Sequence, residues 1–278
     1  MIISLILGGL GNQFFQYAAA RQIAYTRSVS LKLETRGFRY PKYAAHPYCL
    51  DKFNIVGERT RPTDYLSLAA RALRQQVLVR EDMNAFNHKL SDIQDGVILV
   101  GYWQNPAYFT DIAGLLRKEF SLRAPPSAAT ARVAEKIQAE ESVSIHVRRS
   151  DYVRNPRNVE MFEECSLDYY RAAMKFIAAR YAGAHFFVFS DDSDWALRHL
   201  QKSDFPMTFV THNDALTAHE DLTLMQQCRH NIIANSTFSW WAAWLNSNAR
   251  KIVISPRKWF KNSRRNEIDL LPADWIRL

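Results

Sequence analysis

Apolar residues fall into two periods along this chain. In ESVSIHVRRSD, Val143, Ile145 and Val147 alternate with Ser144, His146 and Arg148, a period of two that predicts a strand from Glu141. Arg149, Ser150 and Asp151 fall where the apolar pattern stops, at a strand end, where α/β proteins keep ligands. Upstream, MIISLIL predicts a first strand, GGLGNQFFQYAAARQIAYTR a glycine turn feeding a helix from near Asn12, and SVSLKLE a second strand ending in Glu34. Arg36 to Pro62 is irregular and aromatic. Thr63–Gln76 reads as a helix, Val97–Trp103 as an apolar strand and PAYFTDIAGLLRKEF as a helix with Pro106 in its first turn. Pro125 and Pro126 interrupt the pattern and predict a lobe boundary there. Beyond them helix and strand alternate, which predicts a parallel sheet. Ser127 is placed to cap a helix, Ser166 opens another through Arg180, HFFVFSDD and MTFV read as strands around the helix SDWALRHLQ, and Asp221–Arg229 falls in a helix. HNIIANS, TFSWWAAWLNS and KIVIS then read as strand, helix and strand, with Trp240, Trp241 and Trp244 at core positions.

Composition narrows the class. A chain of 278 residues, 47% hydrophobic, has enough apolar material for two lobes. Lysine and arginine outnumber aspartate and glutamate by 36 to 28, a formal net charge of +8, which favours an anionic partner: nucleic acid, a phosphorylated ligand or an acidic membrane face. Cys49, Cys165 and Cys228 are far apart and in no metal-ligand spacing, and are read as reduced thiols of a cytosolic protein. Met1–Leu7 lacks the charged leader of a signal peptide and is too short to span a bilayer. The densest basic run, Arg257–Arg265, is expected to be a solvated, mobile surface segment.

The candidate chemistry sits at the predicted strand ends. Two adjacent arginines offer planar forks of donors matched to phosphate oxygens, although surface arginines in salt bridges look the same in sequence. Gly8, Gly9 and Gly11 lie between a strand and a helix, where exposed N–H groups and the helix dipole make an anion seat. Asp192 and Asp194 have the DxD spacing that can hold a divalent metal, but acidic residues there also cap the next helix, and capping is preferred. Ser236 and Thr237 stand at a helix mouth, suited to phosphate oxygens and equally to plain capping.

Together these motifs resemble one family, the α1,2-fucosyltransferases of glycosyltransferase family 11, in particular its bacterial members. GGLGNQFFQYA, GYWQNPAYF, HVRRSD, FSDDSDW and EDLTLMQQCRHNIIANSTFSWWAAWLN stand in the family's order and approximate spacing, so the resemblance covers most of the chain. It implies an α/β, GT-B-like architecture: two Rossmann-like lobes with mainly parallel sheets and an interlobe cleft. Residues 1–125 would form the N-terminal acceptor-side lobe, and 126–278 the C-terminal lobe that binds GDP-fucose. The implied reaction is inverting, metal-independent transfer of L-fucose from GDP-fucose, in α1,2 linkage, to a terminal galactose or related sugar of a surface polysaccharide repeat. No cofactor is implied beyond the donor. The implied location is the bacterial cytoplasm, with peripheral contact to the inner membrane face if the acceptor is lipid-linked.

The resemblance also implies roles. Arg148 holds the departing β-phosphate, His146 lies against the guanosine, and Arg149 orients the loop or pairs with Asp151. Ser236, Thr237 and Phe238 wrap the phosphates, and Asp221 accepts from the guanine edge. Gly9, Gly11 and Asn12 face the donor from the first lobe, and Asn12 and Asp151 join Arg148 in the catalytic set. For a base, Asp151, Glu160, Glu163 and Glu164 all stay open, and a sufficiently dissociative transition state needs none. Two rival readings are weaker. A nucleic-acid-binding protein fits the charge, but no recognised binding module is present. A nicotinamide-dependent enzyme would want a third small residue in its glycine motif, where this chain has Phe14.

Overall fold

Parallel strands are covered on both faces, so they require apolar runs with helices between them, and both halves of this chain meet that requirement. The structure, a computed structural model, describes residues 1–40, 46–72, 76–81, 90–150, 156–261 and 270–278. In the first half the elements are β1 (Ile2–Leu5), α1 (Leu10–Thr26), β2 (Leu31–Glu34), β3 (Glu58–Arg59), α2 (Pro62–Ala72), β4 (Leu78–Arg80), β5 (Val97–Val100) and α3 (Ala113–Glu119). Their strands form one parallel sheet in the order β3-β2-β1-β5-β4. Phe14 is fully buried there, stacked on Phe120 at 3.9 Å and edge-on to Phe53 at 4.9 Å. The position that a dinucleotide fingerprint keeps small for close helix packing is thus filled by a core aromatic, which removes the nicotinamide reading.

The second half runs α4 (Ala128–Ala139), β6 (Glu141–Val147), α5 (Pro156–Met161), α6 (Leu167–Ala178), β7 (Ala184–Ser190), α7 (Ser193–Leu200), β8 (Met207–Val210), α8 (Ala218–Gln227), β9 (His230–Ile232), α9 (Thr237–Leu245), β10 (Val253–Ser255) and β11 (Ile276–Arg277). Its sheet is also parallel throughout, in the order β11-β10-β9-β6-β7-β8. The chain divides in sequence between Ala124 and Pro125, and the last eight residues, Leu271–Leu278, belong to the second unit. Side-chain caps fall where the sequence puts them. Ser127 accepts from Thr130 N, Ser166 from Tyr169 N, Asp192 from Trp195 N and Ser236 from Phe238 N, each satisfying a first-turn amide. Trp240 and Trp241 are fully buried in the core, and the three cysteines are buried and free. No described helix is long and apolar enough to cross a membrane.

Several expectations need correction. The helix expected over PAYFTDIAGLLRKEF breaks into two 3-10 turns, Pro106–Tyr108 and Thr110–Ile112, before α3. Asn105 accepts from Ala107 N at 2.9 Å and Thr110 Oγ1 donates to Pro106 O at 2.8 Å, local bonds that compete with α-helical ones. The strand expected to reach Trp103 ends at Val100, because Glu81 draws the amides of Tyr102 and Trp103 out of the ladder and Trp103 turns left-handed, φ 56°. The helix in which Asp221–Arg229 was expected to lie ends at Gln227, and of the helix expected over Thr63–Gln76, α2 covers Thr63–Ala72, with residues 73–75 outside the described residues. Of the basic run, residues 262–265 lie outside the described residues; in the rest Arg257, Lys258 and Lys261 are exposed as expected, whereas Trp259 and Phe260 are buried. The strands β3, β4 and β11 are too short to leave a period in the sequence.

The second lobe is cross-braced by one buried amide. Asn231 donates to Ser144 Oγ and Met225 O, both at 2.8 Å, and accepts from Asn246 Nδ2 at 2.8 Å, joining β6, α8, β9 and the end of α9. Asn231→Ala leaves those buried groups short of partners, an expected loss of about 1–3 kcal/mol. In urea titrations the midpoint should fall with the slope unchanged, and an unmoved midpoint would contradict the brace.

Candidate active site

The order of the second sheet dictates where a ligand can sit. From β6 the chain moves outward through β7 to β8, then returns to the other side of β6 for β9, β10 and β11. The segments leaving β6 and β9 therefore diverge, and a crevice at such a switch point, outside the carboxyl ends of the strands, is the general binding place of open α/β sheets. HVRRS leaves β6 and ANSTF leaves β9. The two segments touch: the rings of His146 and Phe238 are 5.4 Å apart.

Asp191, just beyond β7, shapes the first of these segments. Its carboxylate accepts from Arg149 N at 2.8 Å and Ser150 N at 3.1 Å and lies 3.2 Å from Arg148 Nη1, while Ser150 Oγ donates to its carbonyl. Arg148 is partly buried in this pairing. Arg149 has a different set of partners: the Glu164 carboxylate, Asp192 at 3.8 Å and the face of Trp195, with its guanidinium 4.1 Å from the ring centroid. Arg149 thus pairs with Glu164, whereas its expected partner Asp151 lies outside the described residues. Asp192 also caps α7, and Asp194 is an exposed first-turn residue. The SDDSD segment thus serves loop and helix. Among the described residues no group of three or more His, Cys, Asp or Glu side chains is arranged to hold a metal ion.

His146 is 4% exposed at the end of β6, and its Nδ1 is buried without a hydrogen-bond partner. Burial, with the neighbouring Arg148 charge, pushes its pKa down to about 3, so the ring is neutral. Ser236 and Thr237 stand at the start of α9, Ser236 as its cap. Asn235, just before them, donates to Glu163 O at 2.8 Å and Trp259 O at 3.0 Å, tying two neighbouring loops to the strand end. Asp221 lies in the first turn of α8, which packs on α9. Burial, with the adjacent Glu220 charge, raises its pKa to about 7 against a hydrogen bond from Asn213 at 2.7 Å.

The first sheet has its own carboxyl edge. Gly8 takes φ +77°, and a Cβ there would lie 2.9 Å from Asn12 Nδ2, so this glycine, rather than Gly9 or Gly11, has the backbone that excludes a side chain. Gly9 is the N-cap of α1 and Gly11 is buried in its first turn. Asn12 Oδ1 accepts from Gln104 Nε2 at 2.9 Å, so GGLGNQ and GYWQNP meet at one edge. Glu34, which a dinucleotide site would turn to a ribose, is instead held by Arg36, Thr60 and Tyr65.

Sequence reasoning passed over Asp191 and Asn235 as site residues and offered Glu164 only as a candidate base, not as the partner of Arg149. FSDD marked Asp191 as a strand-end acid, but Glu164 and Asn235 act through partners far away in sequence and left no local pattern.

Comparison with known proteins agrees with these motifs. The sequence model described as Glycosyl transferase family 11 matches residues 87–278. The chain is 31% identical to the Alpha-1,2-colitosyltransferase of Escherichia coli, across 100% of this chain and 99% of that one. It is 28% identical to the O-antigen biosynthesis glycosyltransferase WbnK of Escherichia coli, across 99% of both. Human Galactoside alpha-(1,2)-fucosyltransferase 1 matches at 26%, over 86% of this chain but 63% of its own. Among solved structures, the fucosyltransferase NodZ from Bradyrhizobium aligns with a TM-score of 0.54 at 15% identity, over 87% of this chain and 90% of that one. The fold is GT-B-like, two lobes with mainly parallel sheets. The chain belongs to glycosyl transferase family 11, a glycosyltransferase related to the α1,2-fucosyltransferases.

Proposed function

We propose that the chain transfers L-fucose from GDP-fucose, with inversion and without a metal, in α1,2 linkage to a terminal galactose or related sugar of a glycan. The observation that carries this is the switch point of the second sheet, where Arg148, the neutral His146 and the mouth of α9 come to one strand edge. The α1,2 linkage is supported by the names of the relatives from Escherichia coli and human. In this reading the second lobe, from Pro125 on, takes the donor and the first takes the acceptor.

In the reaction, the acceptor hydroxyl oxygen bonds to the fucose anomeric carbon while the bond from that carbon to the β-phosphate oxygen breaks, its electron pair leaving on GDP. Charge therefore develops on the diphosphate, where prepositioned donors act most strongly. Arg148, held by Asp191, meets that charge. The Ser236 and Thr237 hydroxyls and the first amides of α9 supply neutral donors to the same group. Arg149, engaged by Glu164 and Trp195, positions the loop. His146 and Phe238 offer an apolar, uncharged wall to the nucleoside. Asp191 and Asp192 are already committed to amides, arginines and a helix cap, which supports a reaction in which cationic side chains do the work of a metal. Gly9, Gly11 and Asn12 are assigned to the ligand-facing turn of the first lobe.

The name of the colitosyltransferase relative favours a second donor sugar, colitose, and the assay below run with nucleotide derivatives of both sugars decides between them. If the acceptor is lipid-linked, the basic excess holds the protein on anionic membranes, and high salt should release it.

Arg148→Ala should lower GDP release from GDP-fucose in the presence of a galactoside and a chelator by about a hundred- to a thousandfold, roughly 2.7–4 kcal/mol of barrier. Turnover equal to wild type would end the assigned role. Asp221 gives a pH test. Its raised pKa means that the carboxylate able to accept from guanine is lost as pH falls through about 7. The donor KM of the wild type should therefore rise between pH 8 and pH 6, and that of Asp221→Asn should stay level. Because burial disfavours the ionised form, Asp221→Asn should also melt higher than wild type at pH 8, with the gain fading towards pH 5. Parallel KM profiles in the two proteins would remove Asp221 from donor recognition.

A further inference from the structure

The pairing of β6 with β9 stops at Ile145 and Ile232, whereas β6 stays paired with β7 as far as Val147 and Ser190. Past Ile145 and Ile232, the ladder no longer sets the spacing of the two strand ends that lead to Arg148 and Ser236. Helix α6 reaches both of them at that point. Two adjacent tyrosines in its first turn donate their hydroxyls to the carbonyl of the next residue on each side. Tyr170 Oη donates to His146 O at 3.1 Å, and Tyr169 Oη donates to Ile233 O at 2.6 Å while lying 3.1 Å from Ile254 O, in β10.

Both side chains are buried, with their rings 5.1 Å apart. Burial raises both phenols well above their ordinary range, so each keeps the proton it donates. Ser166, the cap of α6, accepts from Tyr169 N at 3.2 Å and fixes where the pair stands. The chain just ahead of the helix repeats the pattern. Glu163 O accepts from Asn235 Nδ2 at 2.8 Å and Cys165 Sγ donates to Asn235 Oδ1 at 3.6 Å, both on the β9 side, while the Glu164 carboxylate meets Arg149 on the β6 side. One short stretch, Glu163–Tyr170, thus holds each strand end at more than one point.

A buried hydroxyl that finds a carbonyl is ordinary economy, since an unsatisfied one is costly. Economy alone does not put two neighbouring hydroxyls on opposite sides of the switch point, each on the first carbonyl past the shared ladder. That placement fixes how far apart the two ends stand before a ligand arrives. We propose that Tyr169 and Tyr170 are positioning residues of the transfer, setting the spacing of the two strand ends that hold the donor diphosphate, an assignment that rests on the functional reading above. Tyr170 acts through His146 and the cation that follows it, Arg148, and Tyr169 acts through Ile233 and the mouth of α9.

The test is GDP affinity in a double-mutant cycle, read by calorimetry at a temperature where every variant is folded. Tyr170→Phe and Tyr169→Phe keep the ring and its packing and lose only the hydroxyl. Each should weaken GDP binding about two- to tenfold, the cost of ordering on binding what the free protein no longer holds in place. In an Arg148→Ala background, Tyr170→Phe should cost less than it does in wild type, because the cation it places is gone. Tyr169→Phe, working on the other strand end, should cost the same in both backgrounds. A purely structural role would lower the melting temperature of both variants and leave the GDP affinity of the folded protein unchanged. That result would overturn the proposal, and so would a Tyr170→Phe cost equal in the two backgrounds. Wild-type protein that binds no GDP would end the functional reading and this proposal together, whereas wild-type binding with unaltered affinity in the variants removes the tyrosines alone.

Discussion

Asp191 imposes the constraint on which the loop at the end of β6 is built. Its carboxylate fixes the backbone at Arg149 and Ser150 and faces the Arg148 guanidinium at 3.2 Å, so the loop leaving β6 and the cation it carries are set by one residue beyond β7. A long side chain held in place before the ligand arrives does not lose that freedom on binding, which is the advantage of a preorganised donor. The ion-paired groups here are Arg148 and Arg149 against Asp191, Asp192 and Glu164, two cations and three carboxylates. In the proposed reading the diphosphate meets directed donors: one guanidinium, two hydroxyls and the amides opening α9.

Net charge and strand ends carry different information about a site. Charge summed over a chain says nothing about where an anion sits, whereas a parallel sheet with helical crossovers directs its loops to one edge. Val143, Ile145 and Val147 predicted β6, and the break in their period put Arg148 and Arg149 at its end, where they are found. Ser127, Ser166, Asp192 and Ser236 were legible as caps because capping is local, decided within three residues. The bland reading of SDDSD as a capping segment also holds, with Asp192 on Trp195 N.

What could not be read depends on partners far apart in sequence. Glu164 meets Arg149 across a turn of chain that no period describes, and Asn235 reaches Glu163 and Trp259 from separate loops. Gly8 stands beside Gly9 in sequence, and only the backbone angle tells which of them must lack a side chain. Trp259 and Phe260 sit in a run dominated by lysine and arginine, yet both are buried, because a few aromatics outweigh neighbouring charges that can extend into solvent. The first-lobe edge, with Gln13 binding Gly8, Pro47 and Cys49, combines short- and long-range contacts in a single glutamine.

The central claim is that the carboxyl ends of β6 and β9 receive the diphosphate of the donor. A crystal structure of the protein with GDP measures this directly. The account predicts β-phosphate oxygens within hydrogen-bonding distance of the Arg148 guanidinium and of the Ser236 or Thr237 hydroxyl, with the nucleoside against His146 and Phe238. A diphosphate bound clear of all three, for example seated only on the glycine turn that opens α1, would contradict it.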